Sequence, residues 1–560
     1  WLSNPYFDEA TKEELRAIEG NENEIKERFY MDLEFGTAGL RGIIGAGINR
    51  MNIYVVRRAT QGLANYIIKQ GAADKGVAIA YDSRHMSPEF AMEAAMTLAA
   101  NGIKAYKFES LRPTPELSFA VRELGCVAGI NITASHNPPE YNGYKVYWED
   151  GAQFTPPHDK GVTEEVLAIE DLSTVKTTDE ASATAAGLYQ VIGQEIDDKY
   201  IAQVKAQVVN QKAIDEMQDQ ITIVYIPARR VMKEIGFTHV YVVPEQELPD
   251  GDFPTVSYPN PEAKEAFELG LKLAKEKNAD LVLATDPDAD RLGVYVKDTK
   301  SGEYIPLTGN MSGSLLCEYV LSQKQAAGKI PADGQVVKSI VSTNLIDAVA
   351  KAYGAELIEV LTGFKWIGKQ ILKNETTGHG TYLFGMEESY GCLIGTYARD
   401  KDAISATAAL CEAAAYYKQK GMTLWDAMIA MYEKYGYYKD AVKAIGLSGI
   451  EGLAKIQSIM ETLRNNTPTE VGGYKVTSAR DYKLDTIKDM ATGEVKPTGL
   501  PSSNVLYYDL EDGAWICVRP SGTEPKIKFY FGVKGTSLED AEEKENALGA
   551  AVMAMVDKMM

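Results

Sequence analysis

Short apolar runs alternate with helical stretches along most of this chain. Val77–Tyr81 is one such run, and a helical pattern follows it from about Pro88 to Ala100. Further runs of the same kind occur at Ile221–Ile226, His239–Val243 and Leu281–Thr285. Because buried strands that alternate with helices are typical of layered folds, the pattern predicts an α/β protein with mixed sheets.

The last part of the chain has a different pattern. Trp515–Val518 and Ile527–Gly532 read as neighbouring strands, and Leu538–Met560 reads as a closing helix. We therefore expect a smaller terminal domain that differs from the preceding ones.

The length of 560 residues is too great for one hydrophobic core and predicts three or four domains. Polar or turn-rich joints are predicted near 197–211, 299–309 and 434–440, and the last of these is the expected hinge. The predicted domains are 1–205, 206–308, 309–436 and 437–560. One join is unusual, because the strand that ends at Ile226 runs into a helix start at Pro227 with almost no loop. Either the turn is very tight or residues are missing from the sequence here.

Composition narrows the class of partner. The formal net charge of −21 disfavours nucleic acid, although a cleft can still carry a local positive field for an anionic substrate. The chain contains no apolar run of about 18 residues, so no membrane span is expected. The five cysteines are scattered without a CxxC pair, which predicts a reducing, cytoplasmic location. The sequence gives no prediction of the oligomeric state.

The first chemically informative segment is Thr133–Pro138, which has the sequence TASHNP. It follows the apolar run Val127–Ile132, so Ser135 is expected at the end of a buried strand, facing a cleft. His136 and the Asn-Pro turn hold the loop in a non-helical shape. The segment therefore predicts an activated serine.

The second segment is the acidic loop Asp286–Arg291, which follows the strand predicted at Leu281–Thr285. Alternate residues of an extended loop lie on one side, so Asp286, Asp288 and Asp290 can collect a hard divalent cation. The alternative interpretation is a solvated acidic turn.

The third segment is Gly385–Gly391, after an apolar strand predicted at Tyr382–Phe384. Glu387 and Ser389 offer acceptors and a donor that suit vicinal sugar hydroxyls. The alternative is a strand-end turn with exposed glutamates.

The fourth segment is Arg519–Lys526, a loop of small residues whose backbone N–H groups can approach an anion closely. Its candidate phosphate ligands are Arg519, Ser521, Gly522 and Thr523. The alternative is an ordinary Pro/Gly turn.

Two further segments carry single candidate ligands. The glycine-rich segment Phe35–Gly42 can present Arg41 to a phosphate, with Thr37 beside it, or can be only a flexible turn. Gly363–Trp366 can lend Lys365 to a ligand, or can be purely structural.

Taken together in this order, the motifs TASHNP, DPDADR, GMEES and RPSGTEPK resemble the α-D-phosphohexomutase superfamily. The length and the opening FGTAGLRGIIGAGINRMN are most similar to its long bacterial phosphoglucomutase/phosphomannomutase branch. The resemblance implies four domains around a central cleft, three of them α/β with mixed sheets and the last a smaller α/β domain. The short join at Ile226–Pro227 departs from the family, whose members usually have a longer loop there.

The resemblance also implies roles for the candidate residues. Ser135 would carry a phosphoryl group and, with Asp286, Asp288 and Asp290, bind Mg²⁺. Thr37, Lys365, Glu387 and Ser389 would contact the sugar phosphate, whose non-reacting phosphate would be held by Arg519, Ser521, Gly522 and Thr523.

The implied reaction interconverts glucose 1-phosphate and glucose 6-phosphate through glucose 1,6-bisphosphate, which also serves as an activator. Arg41 and Arg291 would share the oxygens of the transferred group. Lys145 and Lys401 are candidate acid/base groups, and nearby cations are expected to lower their pKa. His136 either acts similarly or only orients the loop.

Three alternatives remain open at this stage. The same scaffold can act on mannose, pentose or N-acetylglucosamine phosphates. A phosphatase would use Asp286 as its nucleophile and leave the Ser135 loop incidental. A phosphosugar-binding protein without enzymatic activity would keep the loops and lack turnover.

Overall fold

The fold is described from a computed structural model, which describes residues 1–35, 39–226, 229–447, 449–521 and 526–559. The chain divides into two compact units. The first consists of Trp1–Ser312 with Phe364–Leu424, and the second of Gly313–Gly363 with Trp425–Met560. Elements are numbered in chain order, and each unit is considered by itself.

The N-terminal part of the first unit is a six-stranded mixed sheet with helices. The elements are α1 Glu9–Ala17, α2 Glu22–Phe29, β1 Gly39–Ile43, α3 Ile53–Lys69, β2 Val77–Tyr81, α4 Ser87–Ala100, β3 Ala105–Phe108, α5 Thr114–Glu123, β4 Ala128–Ile132, β5 Tyr141–Trp148, α6 His158–Leu167, α7 Glu180–Ala185, β6 Tyr189–Ile192 and α8 Gln194–Lys205. The strand order is β1-β5-β4-β2-β3-β6. β4, β2, β3 and β6 are parallel to one another, whereas β5 is antiparallel to both of its neighbours, β4 and β1. β2 and β4 are buried along their whole length, which explains their continuous apolar runs.

A second mixed sheet follows in the same unit. Its elements are α9 Gln211–Met217, β7 Thr222–Ile226, α10 Arg229–Ile235, β8 His239–Val242, α11 Glu268–Lys277, β9 Leu281–Thr285, β10 Leu292–Lys297 and β11 Tyr304–Leu307. The order is β11-β10-β9-β7-β8. β9 and β10 form an antiparallel hairpin, so the acidic loop is the hairpin's tip. The predicted strands are found to within one residue, and Pro227 and Ala228 lie outside the described residues.

The next part of the chain contributes to both units. Its elements are α12 Gly309–Ala326, β12 Gly334–Ser339, α13 Leu345–Ala352, β13 Glu356–Val360, α14 Phe364–Thr377, β14 Thr381–Glu387, β15 Gly391–Leu393, α15 Ala403–Gln419 and α16 Leu424–Tyr435. β12 is parallel to β13, and β14 is antiparallel to β15. The predicted end of β14 at Phe384 is wrong. Pairing with β15 continues as far as Glu387, opposite Gly391, so Glu387 ends the strand.

The C-terminal part of the second unit is an antiparallel sheet with two helices. Its elements are β16 Tyr437–Gly446, α17 Gly449–Asn465, β17 Glu470–Val471, β18 Tyr474–Asp481, β19 Thr486–Asp489, β20 Val495–Lys496, β21 Leu506–Leu510, β22 Trp515–Pro520, β23 Lys526–Gly535 and α18 Leu538–Asp557. β23 pairs with all ten residues of β16 and also with β22, which makes both predicted strands longer than their apolar runs. The fold class predicted from the sequence is thus confirmed.

The predicted joints differ from the structure. Most of 197–211 is the helix α8, whose buried face includes Tyr200 and Val204, and residues 206–210 connect it to α9. β11 lies within 299–309. Between α16 and β16 only Gly436 remains, with a φ of 111°. The domain bounds stay a prediction. Among the described residues, no helix combines the length and apolarity that a bilayer crossing requires.

Candidate active site

Ser135 lies in the loop after β4 in a left-handed backbone conformation, with a φ of 52°. This conformation is costly for a residue with a side chain and persists only when its surroundings fix it. The Ser135 N–H donates to Thr133 Oγ1 over 2.8 Å, and the hydroxyl donates to Asp286 Oδ2 over 2.7 Å. Only 2% of Ser135 is exposed. The loop therefore aims the hydroxyl at the acidic hairpin.

The acidic hairpin brings three buried carboxylates together. One ligand oxygen from each of Asp286, Asp288 and Asp290 lies within 4.8 Å of the others. Asp286 Oδ1 accepts the backbone N–H groups of Asp290 and Arg291 at 3.2 and 3.1 Å, which folds the tip back on itself. The predicted cluster on one side of the loop is present.

The donor set fits a hard divalent cation. Among the described residues, Asp288 Oδ1 and Asp290 Oδ1 are buried without a hydrogen-bond partner. Such oxygens are costly unless a cation or donor satisfies them. All three residues supply carboxylate oxygen, which is the ligand that Mg²⁺ prefers.

Two lysines balance the negative charge of this cluster. Lys145 Nζ lies 2.6 Å from Asp288 Oδ2 and 3.6 Å from Asp290 Oδ2. Lys401 Nζ lies 3.1 Å from both Asp290 and Asp400. Burial opposes their charge, but these carboxylates outweigh it and raise the pKa of both lysines. The nearest charges to both lysines are aspartates, so these pKa shifts run opposite to the lowering expected beside a metal and other cations.

The three carboxyl groups titrate differently. Burial, together with the charges of Asp288 and Asp290, raises the pKa of Asp286 well above its usual range. Burial also opposes ionisation of Asp288, yet Lys145 and the hydrogen bonds around it hold the pKa of Asp288 below its usual range. The surroundings of the cluster thus shift the pKa of Asp286 upward and those of Asp288 and Asp290 downward.

The other candidates near Ser135 are a histidine and two arginines. His136 Nδ1 lies 3.2 Å from Ser135 Oγ, and burial, with the charges of Arg291 and Arg41, lowers the pKa of His136 to about 2. Arg41 Nη1 donates to Asn137 Oδ1 over 3.1 Å, and Arg291 pairs with Glu262 at 3.1 Å. His136 is therefore neutral, and both arginines lie close enough for their charges to affect it.

The third loop lies against the acidic hairpin. The Leu292 N–H donates to the carbonyl of Tyr390 over 3.0 Å, which joins this loop to the first residue of β10. Glu387 is buried, and its charge contributes to the raised pKa of Lys401. Ser389 is half-buried two residues further on. The structure thus brings Glu387 into the same group of charges as Asp290.

Lys365 lies elsewhere in the first unit. It occupies the first turn of α14 and lines a cavity of about 570 Å³ together with Trp148 and His158. Burial lowers the pKa of Lys365. Its neighbour Phe364 contacts the site instead, since Lys401 Nζ lies 5.6 Å from the centre of the Phe364 ring.

The fourth loop belongs to the second compact unit. Arg519 is in β22 opposite Lys528, and the Ser521 N–H donates to the carbonyl of Lys526 over 2.7 Å. Gly522 and Thr523 lie outside the described residues, as does Thr37 of the glycine-rich segment.

Sequence reasoning missed several supporting residues. Thr114 donates to Asp288 Oδ2 over 2.8 Å and itself accepts from Asn131 Nδ2 at 2.6 Å. Arg84 donates to backbone carbonyls of the Ser135 loop. A polar residue inside an apolar strand, such as Asn131 in β4, was a usable signal. For Arg84, the only signal in the sequence was its position shortly after β2.

Comparison with known proteins agrees with this arrangement. Four family models match consecutive parts of the chain and are described as phosphoglucomutase/phosphomannomutase. These are alpha/beta/alpha domain I at 32–173, domain II at 198–302, domain III at 308–435 and the C-terminal domain at 473–548.

Relatives and solved structures cover nearly the whole chain. A phosphoglucomutase of Staphylococcus saprophyticus is 34% identical over 98% of both chains, and one of Staphylococcus aureus strain MRSA252 is 35% identical over 94% of both. The open form of the phosphoprotein pp63/parafusin from Paramecium has a TM-score of 0.68 at 18% identity, covering 95% of each chain. A phosphoglucomutase/phosphomannomutase family protein from Burkholderia thailandensis has a TM-score of 0.63 at 20% identity, covering 93% of this chain and 97% of that one.

Proposed function

Because this chain belongs to the phosphoglucomutase/phosphomannomutase family, we propose that it interconverts glucose 1-phosphate and glucose 6-phosphate. The observation that carries the proposal is the buried contact of 2.7 Å between the Ser135 hydroxyl and Asp286. A serine beside three carboxylates is suited to carry a phosphoryl group next to a divalent cation.

Ser135 is the phosphoryl carrier in this scheme. Phospho-Ser135 gives its phosphoryl group to the 6-hydroxyl of glucose 1-phosphate, which produces glucose 1,6-bisphosphate. The bisphosphate turns over, and its 1-phosphate returns to Ser135, which releases glucose 6-phosphate. The same bisphosphate can charge an unphosphorylated enzyme and so acts as an activator.

Mg²⁺ would be held by Asp286, Asp288 and Asp290 together with an oxygen on Ser135. When bound, it would neutralise charge that develops on the transferred group. The unpartnered oxygens of Asp288 and Asp290 support this assignment. Arg41 and Arg291 supply further positive charge near His136.

Proton transfer is assigned to the lysines rather than to the histidine. Carboxylates keep Lys145 and Lys401 protonated. One of them can give its proton to Ser135 Oγ as the phosphoryl group leaves, and the proton that the attacking 6-hydroxyl loses can then restore that lysine. His136 stays neutral and orients the hydroxyl.

The remaining candidates are proposed contacts for the substrate. Glu387 and Ser389 are the proposed contacts for sugar hydroxyls. The proposed contacts for the distal phosphate are Arg519, Ser521, Gly522 and Thr523. Thr37 and Lys365 stay predicted ligands.

A phosphatase that uses Asp286 as nucleophile is less well supported. Asp286 Oδ1 already accepts two backbone N–H groups, and Oδ2 accepts the Ser135 hydroxyl. A group so engaged is poorly placed to attack phosphorus. We propose a cytoplasmic location, which is supported by five buried cysteines that form no disulfide with one another.

The test is conversion of glucose 1-phosphate by purified protein with Mg²⁺ and glucose 1,6-bisphosphate. Ser135→Ala is expected to abolish conversion, whereas Ser173→Ala, on an exposed turn, is the matched control and keeps it. Full activity in Ser135→Ala would overturn the serine mechanism. A phosphopentose preferred by more than about tenfold, or about 1.4 kcal/mol of barrier, would move the substrate to pentoses.

A further inference from the structure

Arg84 is a buried arginine for which the scheme above has no role. It follows β2 in the turn that begins at Asp82, and only 1% of it is exposed. Its guanidinium lies against the backbone of the Ser135 loop. A buried guanidinium is costly unless its N–H groups are satisfied, so its partners indicate what it does.

Those partners are four backbone carbonyls of one loop. Arg84 Nη2 donates to the carbonyls of Ser135, at 2.6 Å, and Asn137. Arg84 Nη1 donates to the carbonyls of Pro138 and Tyr141 at 2.8 and 3.1 Å. Four carbonyl dipoles that point at one place repel each other unless a cation lies between them. The planar fork of arginine can reach all four, whereas a lysine ammonium has three donors on one atom.

Arg84 is itself fixed by its surroundings. Its backbone N–H donates to Asp82 Oδ1 over 3.0 Å, and Ser87 Oγ donates to the same oxygen over 2.8 Å. Nε lies 3.3 Å from Asp82 Oδ2. These contacts hold Arg84 in position independently of its contacts with the serine loop.

A segment from the second sheet's domain covers the guanidinium. The ring centre of Phe253 lies 5.1 Å from Arg84 Cζ, within cation–π range. Gly251 supports this placement, because a Cβ there would lie 3.0 Å from His85 N and 3.1 Å from the carbonyl oxygen of Ser83. The close approach needs glycine and helps to exclude water from Arg84.

We propose that Arg84 is the positioning residue of the phosphoserine loop. By gathering the carbonyls of residues 135, 137, 138 and 141, it holds Ser135 in its left-handed conformation with the hydroxyl on Asp286. It contacts neither the sugar nor the transferred group in this proposal. The kinetic consequence rests on the proposed mutase function, but the structural consequence does not.

The test compares Arg84→Lys with Arg84→Met in the full chain. Arg84→Lys keeps the charge and loses the fork, so kcat for glucose 1-phosphate conversion is expected to fall about 100-fold, the cost of a misplacement of about 1 Å. KM is expected to change less than about threefold, since no sugar contact is lost. The kcat of Arg84→Met is expected to fall by at least the same factor. Arg57→Lys, which alters the pair between Arg57 on α3 and Glu93 on α4, is the matched control and keeps its activity.

Hydrogen exchange distinguishes a local effect on the Ser135 loop from a general loss of stability. Amides of residues 133–141 are expected to exchange at least about tenfold faster in Arg84→Lys, while those of the 286–292 hairpin keep the wild-type rate. Wild-type exchange in the loop together with kcat within twofold would overturn the proposal. So would uniformly faster exchange, with a kcat loss that only matches the unfolded fraction.

Two outcomes keep the inference separate from the proposed function. If the wild type lacks mutase turnover, the function fails, and exchange in 133–141 still decides the role of Arg84. If neither Arg84 variant folds, Phe253→Ala leaves Arg84 in place but lets water reach it. Faster exchange confined to 133–141 in Phe253→Ala then supports the proposal, and unchanged exchange contradicts it.

Discussion

Charged groups cluster in two regions of this molecule and are balanced in different ways. The carboxylates of the first region are buried, whereas the charged groups of the second are half-buried apart from Lys338. In the first compact unit, Asp288 and Asp290 each keep one buried oxygen without a hydrogen-bond partner, although Lys145 and Lys401 lie beside them. The charge there is only partly balanced.

In the second compact unit, acidic groups alternate with basic ones. Lys338 Nζ lies 2.5 Å from Asp347 and 3.8 Å from Glu359. Arg480 lies 2.9 Å from Glu359 and 2.7 Å from Asp509. This network joins the strands β12 and β13 to the C-terminal sheet within one unit.

This difference helps to distinguish a charge cluster that binds a ligand from one that only supports the fold. An ion pair whose partners are all supplied by the protein needs no ligand, and removal of one partner destabilises the fold. A cluster with unpartnered carboxylate oxygens is costly to the protein alone and indicates a ligand. Substitutions in the first region should therefore change activity more than stability, and those in the second should do the reverse.

The largest effect is expected for Asp288→Asn. Losing one carboxylate weakens cation binding and removes several kcal/mol of transition-state stabilisation, so kcat should fall by at least about 1,000-fold. Titration with Mn²⁺, followed by its paramagnetic signal, should show weaker binding. Asp347→Asn in the second region is the matched control, and equal kcat losses in the two variants would break the distinction.

The next effect is expected at the lysines. Lys145→Met and Lys401→Met remove candidate proton donors and should each lower kcat by about 100-fold, the lower end of the range for acid/base catalysis. Initial rates across pH measure this. Lys434→Met, which alters the pair with Glu318 in the second unit, is the control. A variant of Lys145 or Lys401 with wild-type kcat would exclude that lysine as the acid.

Arg480→Met should lower the stability of the protein more than its activity. It leaves Glu359 and Asp509 without their partner and removes the stacking of Arg480, whose Cζ lies 4.5 Å from the Tyr507 ring centre. We expect a loss of about 2 to 3 kcal/mol in the free energy of unfolding, measured with urea. The kcat of the folded protein should stay within about threefold, and a larger loss of kcat with unchanged stability would contradict this interpretation.

The smallest effect concerns Asp440 in β16. Burial raises the pKa of Asp440 to about 6, so the folded state holds this proton more tightly than the unfolded state. Its stabilising contribution is full below about pH 4 and is lost as pH rises through 6. Asp440→Asn should flatten the fall in stability over that window, measured by urea unfolding at each pH. An unchanged slope would show that the carboxyl group does not titrate there.

The sequence predicted those features that depend on local pattern. The strands Val77–Tyr81 and Leu281–Thr285 are found with their predicted bounds because each is a buried, continuous apolar run. Asp286, Asp288 and Asp290 come together as expected because all three lie on one hairpin tip.

The rest depends on contacts between distant segments. The strand that ends at Glu387 is longer than its apolar run because β15 pairs with it. The raised pKa of Lys401 follows from Asp290, more than 100 positions away, and from Asp400 next to it. Arg84 reaches the carbonyls of Pro138 and Tyr141 only after two strands have paired. No local pattern specifies such contacts.

The central claim, that Ser135 carries the phosphoryl group, is tested most directly by mass spectrometry of the peptide that contains it. Protein incubated with glucose 1,6-bisphosphate and Mg²⁺ should gain about 80 Da on Ser135, the mass of one phosphoryl group. A chase with glucose 6-phosphate should remove that gain and return the bisphosphate to solution. A protein that turns over glucose 1-phosphate while Ser135 stays unmodified, or that loses the label only to water, would contradict the account.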